Sequence, residues 1–212
     1  TITTQRIAPM HIGQADLAQS RYATFMELAE RQAAQIDAFV EQNVWQQNST
    51  WELFDGVDIG GAAGSITVSI SNIDDIISNL KKTIFNARGG DFLARNGGFI
   101  AWQPGDFAKV EQWAMASGFG FADEALRNGI RFGFRAGGLF HYVSSQLSPG
   151  RCVGGVKKIV KLGILKATYG VPKFLQEDPA SIHGVGVVSS VNLGVLTPTP
   201  YTSLIFDIAV AV

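Results

Sequence analysis

Apolar residues recur at intervals of three and four along residues 17–46. Phe25, Leu28, Ala29, Ala33, Ile36, Phe39, Val40 and Val44 mark one face, with no glycine or proline between them. The spacing predicts a long amphipathic helix. A second such pattern follows at Ile73, Ile76, Ile77, Leu80 and Ile84, with Asp74 and Asp75 in its first turn and Lys81 and Lys82 toward its end. Acidic residues at the start and basic ones at the end suit the helix dipole, and Ser71 or Asn72 is placed to cap it.

Between these helices the pattern changes period. Trp51, Leu53 and Phe54 lead into the glycine-rich stretch GVDIGGAAG, after which Ile66, Val68 and Ile70 alternate with Thr67 and Ser69. Alternation predicts a strand or hairpin with a flexible tip. Beyond Gly89 and Gly90, residues 98–102 read as a short buried strand and Pro104-Gly105 as a turn. Asp106 is then placed to cap a helix that carries Phe107, Val110, Trp113 and Ala114 and closes near Gly118.

From residue 138 onward the chain reads as strands, at 138–144, 156–161, 185–191 and 204–212, separated by Gly, Pro and Ser turns. Residues 1–16 hold Pro9 and Gly13 and show no sustained period. They read as an extended arm that needs something else to pack on. The class is α+β, with no internal repeat and no obvious linker.

Composition turns this outline toward self-association. Charged residues make up 17% of the 212 positions, hydrophobic residues 46%, and 24 residues are glycine. The charged fraction lies below the roughly 25% usual in soluble domains, so a monomer would expose considerable apolar area. A subunit covered on several sides by copies of itself would not. Lys plus Arg number 17 against 18 Asp plus Glu, a net charge of -1, so a general basic surface for nucleic acid is not indicated.

Candidate chemistry adds little to this outline. The single Cys152 excludes an intrachain disulfide and a multi-cysteine zinc site, and it points to a reducing compartment. His11, His141 and His183 lie far apart without HxxxH or HxxE spacing. A Ser–His–carboxylate triad assembled from distant positions stays open, but no GxSxG elbow is present. Asp74-Asp75 is explained by its place in a first helical turn. GVDIGGAAG lacks the Lys-Ser/Thr of a phosphate loop and precedes a strand. Trp45, Trp51, Trp102 and Trp113 read as core or interface anchors.

Lys157, Lys158, Lys161 and Lys166, near Arg151, form the one basic cluster. A surface facing nucleic acid, a solvated strand face and carboxylates on a neighbouring subunit account for it equally well. No catalytic, cofactor-binding or metal-binding residue is assigned, and the chain is not expected to be an enzyme. No apolar run is long enough to span a membrane, and the first residues lack a secretory pattern, so a soluble, non-exported protein is expected. Thr1 fits either loss of an initiator methionine or a processed terminus.

Three segments, in this order, resemble the major capsid proteins of tailed bacteriophages, the Hong Kong 97 fold shared with encapsulins. ERQAAQIDAFVEQNVW looks like an N-terminal capsid helix. NGGFIAWQPGDFAKVEQW is similar to the strand, turn and helix that follow the family's long spine helix. The stretch from GGLFHYVSSQLSPG through LKATYGVPKF to the C-terminus looks like the closing strands.

The resemblance implies an N-terminal arm at 1–16, an N-terminal helix at 17–50 and a short extended loop at 51–71. It further implies a spine helix with peripheral core at 72–137, the spine running from Asn72 to about Arg88, and strand-rich axial and peripheral lobes at 138–212. The chain is shorter than most members and its loop is brief, and no Lys and Asn positions match a covalent cross-link.

The function so implied is an icosahedral viral shell enclosing a genome, located in the virion and assembled in the host cytoplasm. Its partners would be copies of the chain, scaffolding or decoration proteins, and the packaged genome contacted non-specifically. No membrane partner is expected. The alternatives are an encapsulin-type nanocompartment around a protein cargo and, from another class, a small α+β enzyme or ligand-binding domain.

Overall fold

The computed structural model describes residues 4–13, 23–117, 133–164, 173–175 and 184–211. The chain forms two compact units, one made of residues 1–44 and 162–196 and the other of 45–161 and 197–212.

In the first unit, strand β1 (Thr4–Gly13) pairs antiparallel with β9 (Gly184–Leu196), from Thr4 opposite Leu193 to Gly13 opposite Gly184. Residues 4–13, read as an arm in need of a surface, thus find it in their own chain. A ladder ten residues long holds through backbone hydrogen bonds, which leave no side-chain period to read. Strands β7 (Lys161–Ile164) and β8 (Lys173–Leu175) complete this sheet.

Helix α1 (Ala23–Trp45) carries the first pattern, whose residues 17–22 lie outside the described residues. Its Ile36 is buried with Val191 and Leu193 of β9, and Phe39, Val40, Ile164 and Val195 pack at the margin. Gln32, one turn before Ile36, is buried as well.

The second unit is built on a mixed six-stranded sheet with the order β2-β10-β6-β3-β5-β4. These strands are β2 (Glu52–Phe54), β3 (Gly98–Trp102), β4 (Gly133–Ala136), β5 (Leu139–Val143), β6 (Arg151–Val156) and β10 (Ile205–Ala209). β3 and β5 run parallel, as do β2 and β10, while the other neighbours are antiparallel.

The period-3.6 patterns become helices α2 (Ile73–Asn86) and α4 (Pro104–Ala116), with the short α3 (Gly90–Asn96) between α2 and β3. All five expected apolar positions of α2 are buried. One of them, Leu80, reaches the sheet because β6 carries glycine there: a Cβ on Gly154 would sit 2.8 Å from Leu80 Cδ2 and 3.0 Å from Ile208 Cδ1. This contact explains why the sequence misplaces β6. A Gly-Gly pair reads as punctuation, yet here it lies inside a strand and admits a helix side chain.

Gly137 and Gly138, at φ 56° and 83°, join β4 to β5. Left-handed conformation at both central residues is what a two-residue hairpin needs, and glycine adopts it without strain. Lys81 Nζ donates to the Gly137 carbonyl at 2.9 Å and ties this hairpin to α2.

Three capping and strand expectations change. Gln103, not Asp106, is the N-cap of α4, and Pro104 takes the first helical position. Asp106 is instead buried in the first turn and accepts from Lys109 Nζ at 3.0 Å. Asn72 stands at the N-cap of α2, but its side chain turns back, accepting from Ser69 N and donating to the Thr67 carbonyl. Ile66 and Val68 are buried as alternation required, but only Ile66 pairs, in a single parallel bridge to Val210.

Candidate assembly surfaces

The residues with reactive side chains are used for packing. His141 is fully buried in the middle of β5. Its ring stacks at 6.1 Å on Trp102 and at 5.4 Å on Phe134, and Trp113 lies tilted at 6.2 Å. Trp102 Nε1 can only donate, so His141 Nδ1 accepts from it at 3.1 Å, and Nε2 must carry the proton given to the Ala136 carbonyl. Burial among aromatic rings lowers the His141 pKa to about 4, against the opposing pull of that carbonyl, so the ring is neutral at ordinary pH.

Cys152 is buried in β6, and burial pushes its thiol up to about 12, which removes thiolate chemistry. His11 lies on β1 opposite Gly186, while His183 falls outside the described residues. Asp74 and Asp75 are exposed in the first turn of α2. Among the described residues, no three His, Cys, Asp or Glu side chains converge on a point where a metal could sit. No described helix is long and apolar enough to cross a membrane.

What the second unit does present is surface. The glycine stretch is hydrogen-bonded onto itself: Gly56 N donates to the Gly64 carbonyl, Gly61 N to Gly56, and Asp55 N to the Asp58 carboxylate, all within 2.8–2.9 Å. This compact loop leaves Val57 59% exposed, close in sequence to Leu53, which is 56% exposed on the edge strand β2. Elsewhere Phe85 stands exposed at the end of α2, and Phe92 of α3 meets Tyr201 edge-on at 5.3 Å. Scattered apolar residues are ordinary, but pairs at a sheet edge and beside a helix end suit contact with another chain.

Charge is sorted more strongly than the sequence indicated. Arg151 leaves the basic cluster, because its guanidinium donates to Asp207 Oδ2 at 2.6 Å. Asp207 Oδ1 is buried without a partner, and burial raises the Asp207 pKa while Arg151 pulls it down. Lys166 lies outside the described residues. Lys157, Lys158 and Lys161 remain, clustered where β6 turns into β7. Lys157 Nζ sits 4.4 Å over the Phe140 ring, and burial and the nearby Arg135 both lower its pKa. In the first unit, the outer side of α1 carries Glu27, Glu30, Asp37 and Glu41, against the single basic Arg31, which pairs with Glu27 at 2.6 Å.

Neither protein-family models nor curated proteins match this chain. Solved structures do. The capsid of an empty GTA particle aligns with a TM-score of 0.66 at 14% identity, over 98% of this chain and 73% of that one. A structure from Mycobacterium phage Che8 gives 0.65 at 14% identity, over 98% and 71%. A virus-like particle from Pyrococcus furiosus gives 0.57 at 11% identity, over 97% and 75%. The chain aligns nearly throughout and spans about three quarters of the length of these chains. The α+β architecture of this chain, two sheets with their helices, is that of the phage major capsid fold.

Proposed function

We propose that this chain is the building block of a closed icosahedral shell around a genome, located in the virion and assembled in the host cytoplasm. The observation that carries the reading is the extent of the likeness, which covers 98% of this chain. The side-chain chemistry agrees. His141 and Cys152 are spent inside the core, and the exposed features are apolar pairs and sorted charge, which serve association and not catalysis. An enzyme is therefore not the reading we adopt.

Shell contacts made between different faces of identical subunits close around symmetry axes, and each can be weak because many act together. Scaffolding or decoration proteins and non-specific contact with the genome are the partners this reading adds.

Electron microscopy of the purified protein tests the proposal: uniform round particles are expected, and a stable monomer at high concentration overturns it. A second reading of the same fold is a compartment around a protein cargo; a virus-like particle is among the similar structures. Absorbance of the particles separates the two, since a pure-protein spectrum selects the cargo compartment over the virion.

A further inference from the structure

One face of the six-stranded sheet carries a row of cations and aromatic rings. Along β5, His141 points to the side where Trp113 of α4 packs, so by alternation Phe140 points to the other. Arg135 of β4 and Phe99 of β3 are the cross-strand partners of Phe140 and share its face. Gly133 leaves room for the Phe140 ring on the edge strand, since a Cβ there would lie 2.8 Å from Phe140 Cζ. Lys157, one residue beyond β6, completes the row: its N donates to the Gly97 carbonyl at 3.0 Å, and its Nζ sits 4.4 Å over the Phe140 ring. The strands run in the order β6-β3-β5-β4, so the row crosses three strand spacings, about 14 Å. All of it belongs to the unit of residues 45–161 and 197–212.

Two more lysines extend the row. Lys158 is exposed and held at φ 67°, a conformation that glycine would adopt more easily. Lys161, also exposed, donates from Nζ to the Lys158 carbonyl at 3.4 Å. Arg135 is exposed and close enough to act on Lys157, whose pKa is lowered first by burial and then by the Arg135 charge. Among the described residues, none of these four cations has a carboxylate partner. Like charges gathered in this way repel one another, and a bound anion relieves the repulsion.

We infer that the strip formed by Arg135, Lys157, Lys158 and Lys161 binds the phosphodiester backbone of a nucleic acid, without regard to sequence. That this nucleic acid is a packaged genome rests on the shell reading above. Charge complementarity and residue type select the occupant. Three of the four cations are lysines, compact point charges on flexible stems that can follow phosphates at varying positions. Lysine is depleted where proteins meet proteins, which argues against a neighbouring subunit. Aromatic rings set among cations are how sequence-tolerant sites hold a strand. The net charge of -1 gives the chain no general basic field, so the attraction is local to this strip.

Fluorescence anisotropy of a labelled oligothymidine about 30 nucleotides long, titrated with the purified full chain, tests the strip. Affinity should fall with salt at a log–log slope of about -2.8, as four phosphate contacts to a single strand require. R135Q/K157Q/K158Q/K161Q should bind roughly tenfold more weakly or worse and lose most of that slope, while K82Q, exposed on α2, should match the wild type. Circular dichroism checks folding. As single changes, R135Q and K158G, the latter suited to the left-handed turn, should each reduce the slope by about 0.7. Unchanged binding by folded variants overturns the strip, as does a wild-type chain without salt-dependent binding. Particles of the quadruple variant should form in normal yield and carry less nucleic acid. Loss of particles with oligothymidine binding intact overturns the strip in favour of a subunit contact. A wild-type monomer that binds with the expected slope overturns the shell reading alone and leaves the strip standing.

Discussion

The two units are held together by different means. The unit around the six-stranded sheet buries Trp102, Phe54, Phe206, Ile73, Leu80 and Ile100 almost completely, from strands on one side and helices on the other. The unit around β1 and β9 buries, among its described residues, Ile36, Val191 and Leu193, and relies on a ten-residue backbone ladder. Apolar burial contributes most of folding free energy, so the first of these is self-sufficient. The second, among its described residues, leans more on backbone hydrogen bonds. The lesson is that one chain can join a region held by apolar burial to a region held, among its described residues, by a backbone ladder.

The largest test of that difference lies in the unit held by apolar burial. Trp102→Ala removes a fully buried ring and leaves His141 Nδ1 without its donor, so urea denaturation should show a loss of about 3–5 kcal/mol. A loss below about 1 kcal/mol would mean that this core is not the stabilising centre.

Acid should find the same place. His141 has a folded pKa of about 4 against 6.5 when free, so the unfolded chain binds the extra proton between those values. The contribution is fully present above about pH 6.5 and is lost as pH falls toward 4, to a total on the order of 3 kcal/mol. His141→Gln should flatten that part of the stability profile; an unchanged slope would locate the titration elsewhere.

In the thinner unit, Ile36→Ala should cost about 2 kcal/mol. Hydrogen exchange should speed up in α1 and β9 while β3 and β6 stay protected. Equal loosening in both would erase the distinction. Smallest of all, Arg31→Ala breaks an exposed pair with Glu27, and its thermal unfolding should shift by less than about 0.5 kcal/mol, within the range of surface pairs.

Legibility in the sequence follows the same division. Helices α2 and α4 and strand β3 were readable because their apolar periods match the faces they bury. The Gly154-Gly155 pair misled because glycine serves both to turn a chain and to admit a close neighbour, and only Leu80 shows which. β1 left no pattern because its partner lies some 180 residues away and pairs through the backbone. Among candidate sites, the lysines were seen but not their setting: β6 ends at Val156, which moves them from a strand face to a turn and leaves Arg151 bound to Asp207.

One detail of the sheet order bears on how the molecule is made. β10 follows β2 by some 150 residues, yet it does not lie at an edge but between β2 and β6. During synthesis β2 emerges early and waits without a partner until Ile205–Ala209 has left the ribosome. The six-stranded sheet therefore cannot close before that segment is made, and a nascent chain stalled short of it exposes Phe54 and the edge of β6 to whatever chaperone is at hand.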